Sequence, residues 1–337
     1  MKIAIISVSK KGQELANILK TKLNKDSTII KTDLYHKNIK KTFPLIFQEY
    51  DAIIAIMASG ILIRSIAPLI QSKTQDPAII NIDDAGKYTI STLSGHLGGA
   101  NKLTKKVSKI INSTEVITTS TDVNGKIGID VIANDLYLSI ENTKEILFFN
   151  KSILNEKEII FNINPNKNFD YLFEYLNDNT LEINLSIIFT TKINKKEIHV
   201  TCENHKLILK EKKIVAGIGC KKNKKYEDIY NALKNSCNDL KIPISRVNLL
   251  SSAWIKKDEK GLLKLSNELI IPIKFISKDK LQLFKSPDTS KSEFVKSKIG
   301  IDGVCEQSSL IAAGFESKLI YKKTPYNGVT IALSVSN

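Results

Sequence analysis

His96 is the side chain in this sequence best placed for acid–base chemistry. It lies in Ser94-Gly95-His96-Leu97-Gly98-Gly99-Ala100-Asn101, where three glycines let the backbone approach a ligand closely. An imidazole with an ordinary pKa of about 6.5 can take and give a proton at neutral pH. Ser94 reads as the cap of the helix that follows. A second constellation, Thr118-Thr119-Ser120-Thr121-Asp122-Val123-Asn124-Gly125, puts hydroxyls and one carboxylate after a strand. Asp122 is suited to orienting an imidazole or a water; a capped polar loop is the plainer alternative.

The third constellation runs from Met57 through Ala58-Ser59-Gly60-Ile61-Leu62-Ile63-Arg64 to Pro68. A buried strand meets a small-residue turn and then a helix. Such a junction aims free N–H groups and a positive helix end at the carboxyl edge of a sheet, where open α/β folds bind ligands. Arg64 sits about one turn into that helix. It is one of two arginines in a chain that otherwise uses lysine, the other being Arg246. Its planar fork grips a carboxylate in a way an ammonium cannot. Near the C-terminus, Gly217-Ile218-Gly219-Cys220 reads as a turn and lacks the third glycine of a dinucleotide fingerprint. Glu306, in Gly303-Val304-Cys305-Glu306-Gln307, falls in the first turn of a helix, a good capping position.

Positioning these groups requires a multidomain α/β chain built on mostly parallel, open sheets. Residues 1–140 alternate apolar runs at 2–8, 27–31, 52–57, 78–82, 88–92 and 115–119 with helical stretches, and form an N-terminal α/β domain. The strands at 78–82 and 88–92 are joined by the turn Asp83-Asp84-Ala85-Gly86. Residues 141–212, rich in Asn, Lys and Glu, form a small α/β linking domain with runs at 159–163 and 185–189. Residues 213–337 form a C-terminal α/β domain. A single active site requires the strand ends at 57–68 and 94–101 to lie side by side in one pocket.

The apolar fraction of 42% and charged fraction of 25% suit packed cores rather than disorder. No stretch approaches the roughly 18–20 apolar residues of a membrane helix. Residues 1–9 read as a first strand rather than a signal peptide, so the expected location is the cytoplasm. The net charge of +15 attracts polyanions, namely nucleic acid, anionic membrane or a substrate with many carboxylates. There is no arginine-rich arm and no aromatic-interleaved RNA motif, which argues against nucleic acid. Neither glycine-rich turn ends in the Lys-Ser/Thr of a phosphate loop. Cys202, Cys220, Cys237 and Cys305 are too widely spaced for a zinc knuckle or a disulfide framework. Cys202 and His205 form only half a metal site, so no protein metal is expected.

Taken together, these blocks resemble the cobalt-precorrin-5A hydrolase family of anaerobic cobalamin biosynthesis. The likeness is carried by Ser59-Gly60-Ile61, Arg64-Ser65-Ile66-Ala67-Pro68-Leu69, Lys73-Thr74-Gln75-Asp76-Pro77-Ala78, the Asp83/Asp84 turn and Ser94–Asn101. It continues with Thr118-Thr119, Asp122 and Asp130, then Gly217–Cys220, Trp254–Leu262, Gly303–Glu306, Lys323 and Val329–Ala332. Ser59 stands where Thr is common in the family, and Cys305 and Gln307 where small residues are expected. The resemblance implies a hydrolase that opens the ring A lactone of a cobalt-corrinoid and releases acetaldehyde, with cobalt brought by the substrate and no cofactor. It further implies His96 as base, oriented by Asp122 or Asp83, with the N–H groups around Gly98 and Gly99 holding the oxyanion. Ser59, Gly60, Arg64, Ser94, Gly95, Gly98, Gly99, Asn101, Thr121 and Glu306 would contact the substrate, Arg64 through a peripheral carboxylate. A homodimer is a further expectation, and a non-catalytic corrinoid carrier is the rival reading.

Overall fold

The computed structural model describes residues 1–72, 74–178 and 183–336. Lys73, part of one matched run, lies outside them. Two compact units emerge. One comprises Met1–Asn134 with Lys144–Ile159 and Glu182–Leu185; the other comprises Asp135–Thr143, Ile160–Leu181 and Ser186–Asn337.

The first unit is a doubly wound α/β layer. Its chain order is β1 (Lys2–Ser7), α1 (Lys10–Leu23), β2 (Lys31–His36), α2 (Ile39–Glu49), β3 (Ala52–Ile56), α3 (Ser59–Ile66), β4 (Ala78–Ile82), β5 (Tyr88–Leu93), α4 (Ala100–Ile111), β6 (Thr114–Val116), α5 (Ser120–Val123) and α6 (Ile129–Asp135). The six strands lie in the order β2-β1-β3-β4-β5-β6. Alternate residues of each central strand face opposite cores. Ile3, Ile5, Ile54, Ile56, Ile80 and Ile82 pack on α1 and α4, while Ala4, Ile6, Ile53 and Ala55 pack on α2 and α3. Burial on both faces is why these strands read as unbroken apolar runs. The strand expected at 27–31 begins only at Lys31, and α2, which carries Pro44 internally, was hidden by its lysines and proline.

One pairing sets the geography of the unit. β1, β2, β3 and β4 are parallel, but β5 returns antiparallel to β4, with Ile82 opposite Thr89 and Ile79 opposite Leu93. The reversal is made in the 83–86 turn, where Gly86 takes φ +69°. β6 then runs parallel to β5. The loops after β5 and β6 therefore emerge where β1, β3 and β4 begin.

The middle sheet contains β7 (Leu138–Ile140), β8 (Ile159–Ile163), β9 (Leu185–Phe189), β10 (Glu197–Cys202) and β11 (His205–Glu211), with helices α7 (Ile146–Leu154) and α8 (Asp170–Asp178) between them. Its order is β7-β11-β10-β8-β9, and the β7–β11, β11–β10 and β10–β8 pairs are antiparallel. Cys202 is buried and His205 exposed across their hairpin, and no metal-binding cluster of His, Cys, Asp and Glu occurs among the described residues.

The third sheet has the order β14-β13-β12-β16-β15. It is built from β12 (Ile214–Cys220), α9 (Tyr226–Leu240), β13 (Leu249–Ala253), α10 (Lys260–Leu269), β14 (Ile273–Ile276), α11 (Lys278–Leu283), α12 (Glu293–Ile299), α13 (Cys305–Ala313), β15 (Lys318–Tyr326) and β16 (Val329–Val335). Gly217–Cys220, expected as a turn, is strand, paired residue for residue with β16. Its glycine serves packing: a Cβ on Gly217 would lie 1.9 Å from the Cys305 carbonyl oxygen of α13. In the same unit the fully buried Arg246 donates to the carbonyls of Leu136 (2.6 Å), Tyr137 (2.8 Å) and Lys212 (2.6 Å) and to Asn248 Oδ1 (2.8 Å). Its guanidinium lies 5.2 Å from the Tyr171 ring centre. The charge is thus solvated by backbone dipoles rather than by a carboxylate.

Candidate functional site

The β4–β5 reversal separates two groups of residues expected to share one pocket. Ser59 follows β3 at the edge marked by Ile56 and Ile82, the carboxyl edge of the parallel strands. The 94–99 loop follows Leu93 at the edge marked by Ile79. There Ser94 Oγ donates to the Asp76 carbonyl at 3.0 Å, and a Cβ on Gly98 would come within 3.3 Å of Ala78 N. Five residues of β4 at about 3.3 Å each put the two edges roughly 15 Å apart. The single pocket of 57–68 and 94–101 is therefore not formed, because a four-residue turn joins antiparallel strands and reverses the chain.

At the amino edge, His96 is held on both ring nitrogens. Nδ1 lies 3.2 and 3.1 Å from the two carboxylate oxygens of Asp130, and Nε2 lies 3.0 Å from Asp122 Oδ2. Thr121 Oγ1 is 3.2 Å from Nε2. Only a doubly protonated ring can donate to both carboxylates. Burial opposes the charge, but the hydrogen bonds to Asp122 and Asp130 outweigh it and raise the pKa to about 9. Burial likewise pushes both aspartates up, yet the imidazolium holds each below the usual carboxylate range. His96 is therefore an imidazolium at neutral pH, not the resting free base the sequence suggested.

The surroundings fix this trio. Asn101 Nδ2 donates to Asp122 Oδ2 and to Thr119 Oγ1, both at 2.9 Å, while its oxygen accepts from Ser91 Oγ at 2.6 Å. Lys105 Nζ stands 3.5 Å from Asp122 Oδ1. Asn150 Nδ2 donates to Asp130 Oδ1 at 3.0 Å, and its own oxygen accepts from Ile129 N. The side chains of His96 and Asp130 are each 9% exposed and that of Asp122 22%, so Asp122 is the member open to a ligand.

The glycines serve the loop itself. A Cβ on Gly95 would sit 2.7 Å from Asn101 Oδ1, and one on Gly98 2.5 Å from Ser94 Cβ. Gly99, at φ +86°, is the N-cap of α4, so Ser94 does not cap that helix. The Gly99 N–H already donates to the His96 carbonyl at 3.0 Å, which removes it from the expected oxyanion pair.

Ser59, Gly60, Arg64 and Asp83 belong to the carboxyl edge. Ser59 Oγ donates to Asn81 Oδ1 at 2.5 Å, and the buried Asn81 ties the Ala55 and Met57 carbonyls. The guanidinium of the exposed Arg64 folds over Gly60, 3.5 Å from where a Cβ would stand, and pairs with no described residue. Asp83 does not orient His96. Its oxygens accept from Ala85 N (3.0 Å) and Tyr88 N (2.6 Å) within its own turn, on the far edge of the sheet. Glu306 is not a free substrate ligand either. It is buried, with Oε2 accepting from Ser290 N and Oγ at 2.6 and 2.7 Å and Oε1 from Lys323 N at 2.9 Å. It ties the 290 loop and β15 to α13. Asp130 was visible only as part of a matched run, and Asn81 and Asn150 were not singled out. No local spacing links them to their partners, 20 to 34 residues away for Asp130.

Similarity to known proteins runs along the chain. Residues 41–122 match the family described as cobalamin synthesis G N-terminal, and residues 214–334 match cobalamin synthesis G C-terminus. A "Probable cobalt-precorrin-5A hydrolase" of Methanocaldococcus jannaschii is 32% identical, with both chains covered completely. A cobalt-precorrin-5A hydrolase of Priestia megaterium is 26% identical over 98% of this chain and 94% of its own. The crystal structure of a cobalamin biosynthesis protein G homolog from Sulfolobus solfataricus superposes with a TM-score of 0.58 at 29% identity, covering 100% of this chain and 97% of that one. With both halves matched and a relative aligned end to end, the chain belongs to the cobalamin synthesis G family.

Proposed function

We propose that this chain is a cobalt-precorrin-5A hydrolase, opening the ring A lactone of its cobalt-corrinoid substrate and releasing acetaldehyde to give cobalt-precorrin-5B. The observation that carries the reading is end-to-end similarity to a relative with that name. The amino-edge centre supplies a matched acid and base. Asp122, the more open of the two carboxylates, takes a proton from the attacking water. His96, charged and 3.0 Å from Asp122, gives its Nε2 proton to the departing lactone oxygen. Asp130 keeps the ring oriented and charged through Nδ1, as the buried aspartate of a hydrolytic triad does.

The second step reuses the same ring. Once Nε2 has lost its proton and Asp122 has released the water's proton to solvent, His96 is a neutral base. It takes the proton of the new hydroxyl as the carbon–carbon bond to the macrocycle breaks, the electron pair moves into the conjugated ring, and acetaldehyde leaves. Cobalt enters and leaves with the substrate, and the reading assigns no metal or cofactor to the protein. Incubating the purified chain with cobalt-precorrin-5A and following acetaldehyde with an NADH-coupled alcohol dehydrogenase tests it. Tight corrinoid binding without acetaldehyde would make the chain a carrier instead.

A further inference from the structure

The carboxyl edge of the first sheet carries a feature the reaction above does not use. A cavity of about 510 Å³ lies where β1 and β2 end, lined by Val8, Lys37, Asn38, Ile39, Lys40 and Lys41. It is a shallow depression open to solvent, with a volume in the roughly 300–1,000 Å³ range of small-molecule sites. We propose that this cavity is an anion-binding site for a polycarboxylate with an apolar body, separate from the His96 centre.

Charge carries the argument. The ammonium groups of Lys37, Lys40 and Lys41 are exposed and pair with no described residue. Some lysines elsewhere pair with acids, as Lys31 does with Asp33, Lys106 with Asp26 and Lys256 with Glu259. Three like charges within five residues repel one another until a counter-charge arrives. They also stand where the dipole of α2 disfavours cations, and the first turn of that helix has no acid. A local arrangement that breaks such a rule without an internal partner is the signature of a binding site.

The lining has two chemistries. Val8 and Ile39 are apolar, and the lysines supply the charges. A ligand whose carboxylates radiate from a flat apolar frame satisfies both at once; a bare inorganic anion satisfies one. Corrinoids bearing acetate and propionate arms belong to this class, an identification that rests on the proposed reaction, whereas the class itself does not. The packed sheet between the edges, roughly 15 Å deep, makes this a holding site rather than the place of bond cleavage.

The test uses uroporphyrin, a metal-free octacarboxylate porphyrin, as the probe with the full chain. Fluorescence titration should show binding that weakens steeply with salt. The Lys37→Ala/Lys40→Ala/Lys41→Ala variant should raise the Kd about 30-fold, three exposed ion pairs at a typical strength each. The matching triple arginine variant should retain binding, which separates charge from misfolding. Equal affinity in the alanine variant would overturn the proposal. So would displacement of the porphyrin by low-millimolar phosphate, since the site would then take any anion. Acetaldehyde release by the alanine variant at saturating substrate reports on the hydrolase reading separately, and its loss would place these lysines in the reaction itself and overturn a separate site.

Discussion

The two edges of the first sheet solve opposite problems. At the amino edge, every ring nitrogen and carboxylate of His96, Asp122 and Asp130 has a partner, and the glycines of 94–99 are consumed in closing the loop on itself. At the carboxyl edge, Arg64, Lys37, Lys40 and Lys41 point charges outward with no described partner. On the two proposals made above, the contrast separates proton chemistry, which needs groups preset in orientation and protonation, from recognition of an anionic ligand, which leaves charge unmatched until the ligand supplies it.

The sharpest way to break this contrast is at His96. His96→Ala should lower acetaldehyde release by about 10³-fold, and Asp122→Asn by a comparable factor, in single-turnover assays. His96→Gln, closer in shape, guards against misfolding. Turnover that survives all three substitutions would move the chemistry away from the amino edge.

The pH response follows next. His96 is held above its ordinary 6.5, at about 9, so its contribution is complete below about pH 6.5 and vanishes as pH rises through about 9. Asp122 and Asp130 are held below 3.8, so theirs is present above that value and lost on acidification below it. Thermal unfolding should therefore show roughly 3 kcal/mol lost between pH 6.5 and 10, and kcat/KM should fall above about pH 9. Asn150→Ala, by loosening Asp130, should bring that alkaline limit down. A flat profile in the parent chain would mean the imidazolium is not stabilised as described.

Gly98→Ala comes third, with about 2 kcal/mol of destabilisation in denaturant melts, because its methyl would meet Ser94 Cβ at 2.5 Å. The smallest effect belongs to the carboxyl edge. Removing Lys40 and Lys41 should stabilise the unliganded chain by a few tenths of a kcal/mol each, since they oppose the α2 dipole. Destabilisation there would show that these lysines already serve the fold.

Much of the α/β organisation was readable, because strands buried on both faces leave apolar runs such as 52–56 and 78–82. The expected meeting of 57–68 with 94–101 was not read correctly, although the clue was present. A turn of four residues, 83–86, can join only antiparallel strands, and that alone sends 94–101 to the edge opposite Ser59. Glycine was also misleading. Runs at 95–99 and 217–219 signal close approach, but the approaching groups are Asn101, Ser94 and the Cys305 carbonyl rather than a ligand. Asp130 and Asn150 escaped because they join His96 through tertiary folding, which leaves no periodic trace.

Arg246 has a topological consequence. By gripping the Tyr137 and Lys212 carbonyls with one nitrogen, while Lys212 N donates to Tyr137 O at 3.2 Å, it draws the entry and exit of residues 138–211 into a single neck. The stretch between is no free-standing insert, because Lys144–Ile159 within it belongs to the first compact unit, where Asn150 holds Asp130 and Glu156 pairs with Lys126. A shortened chain that keeps 144–159 therefore keeps the carboxamide of Asn150 on Asp130, and with it the orientation of His96.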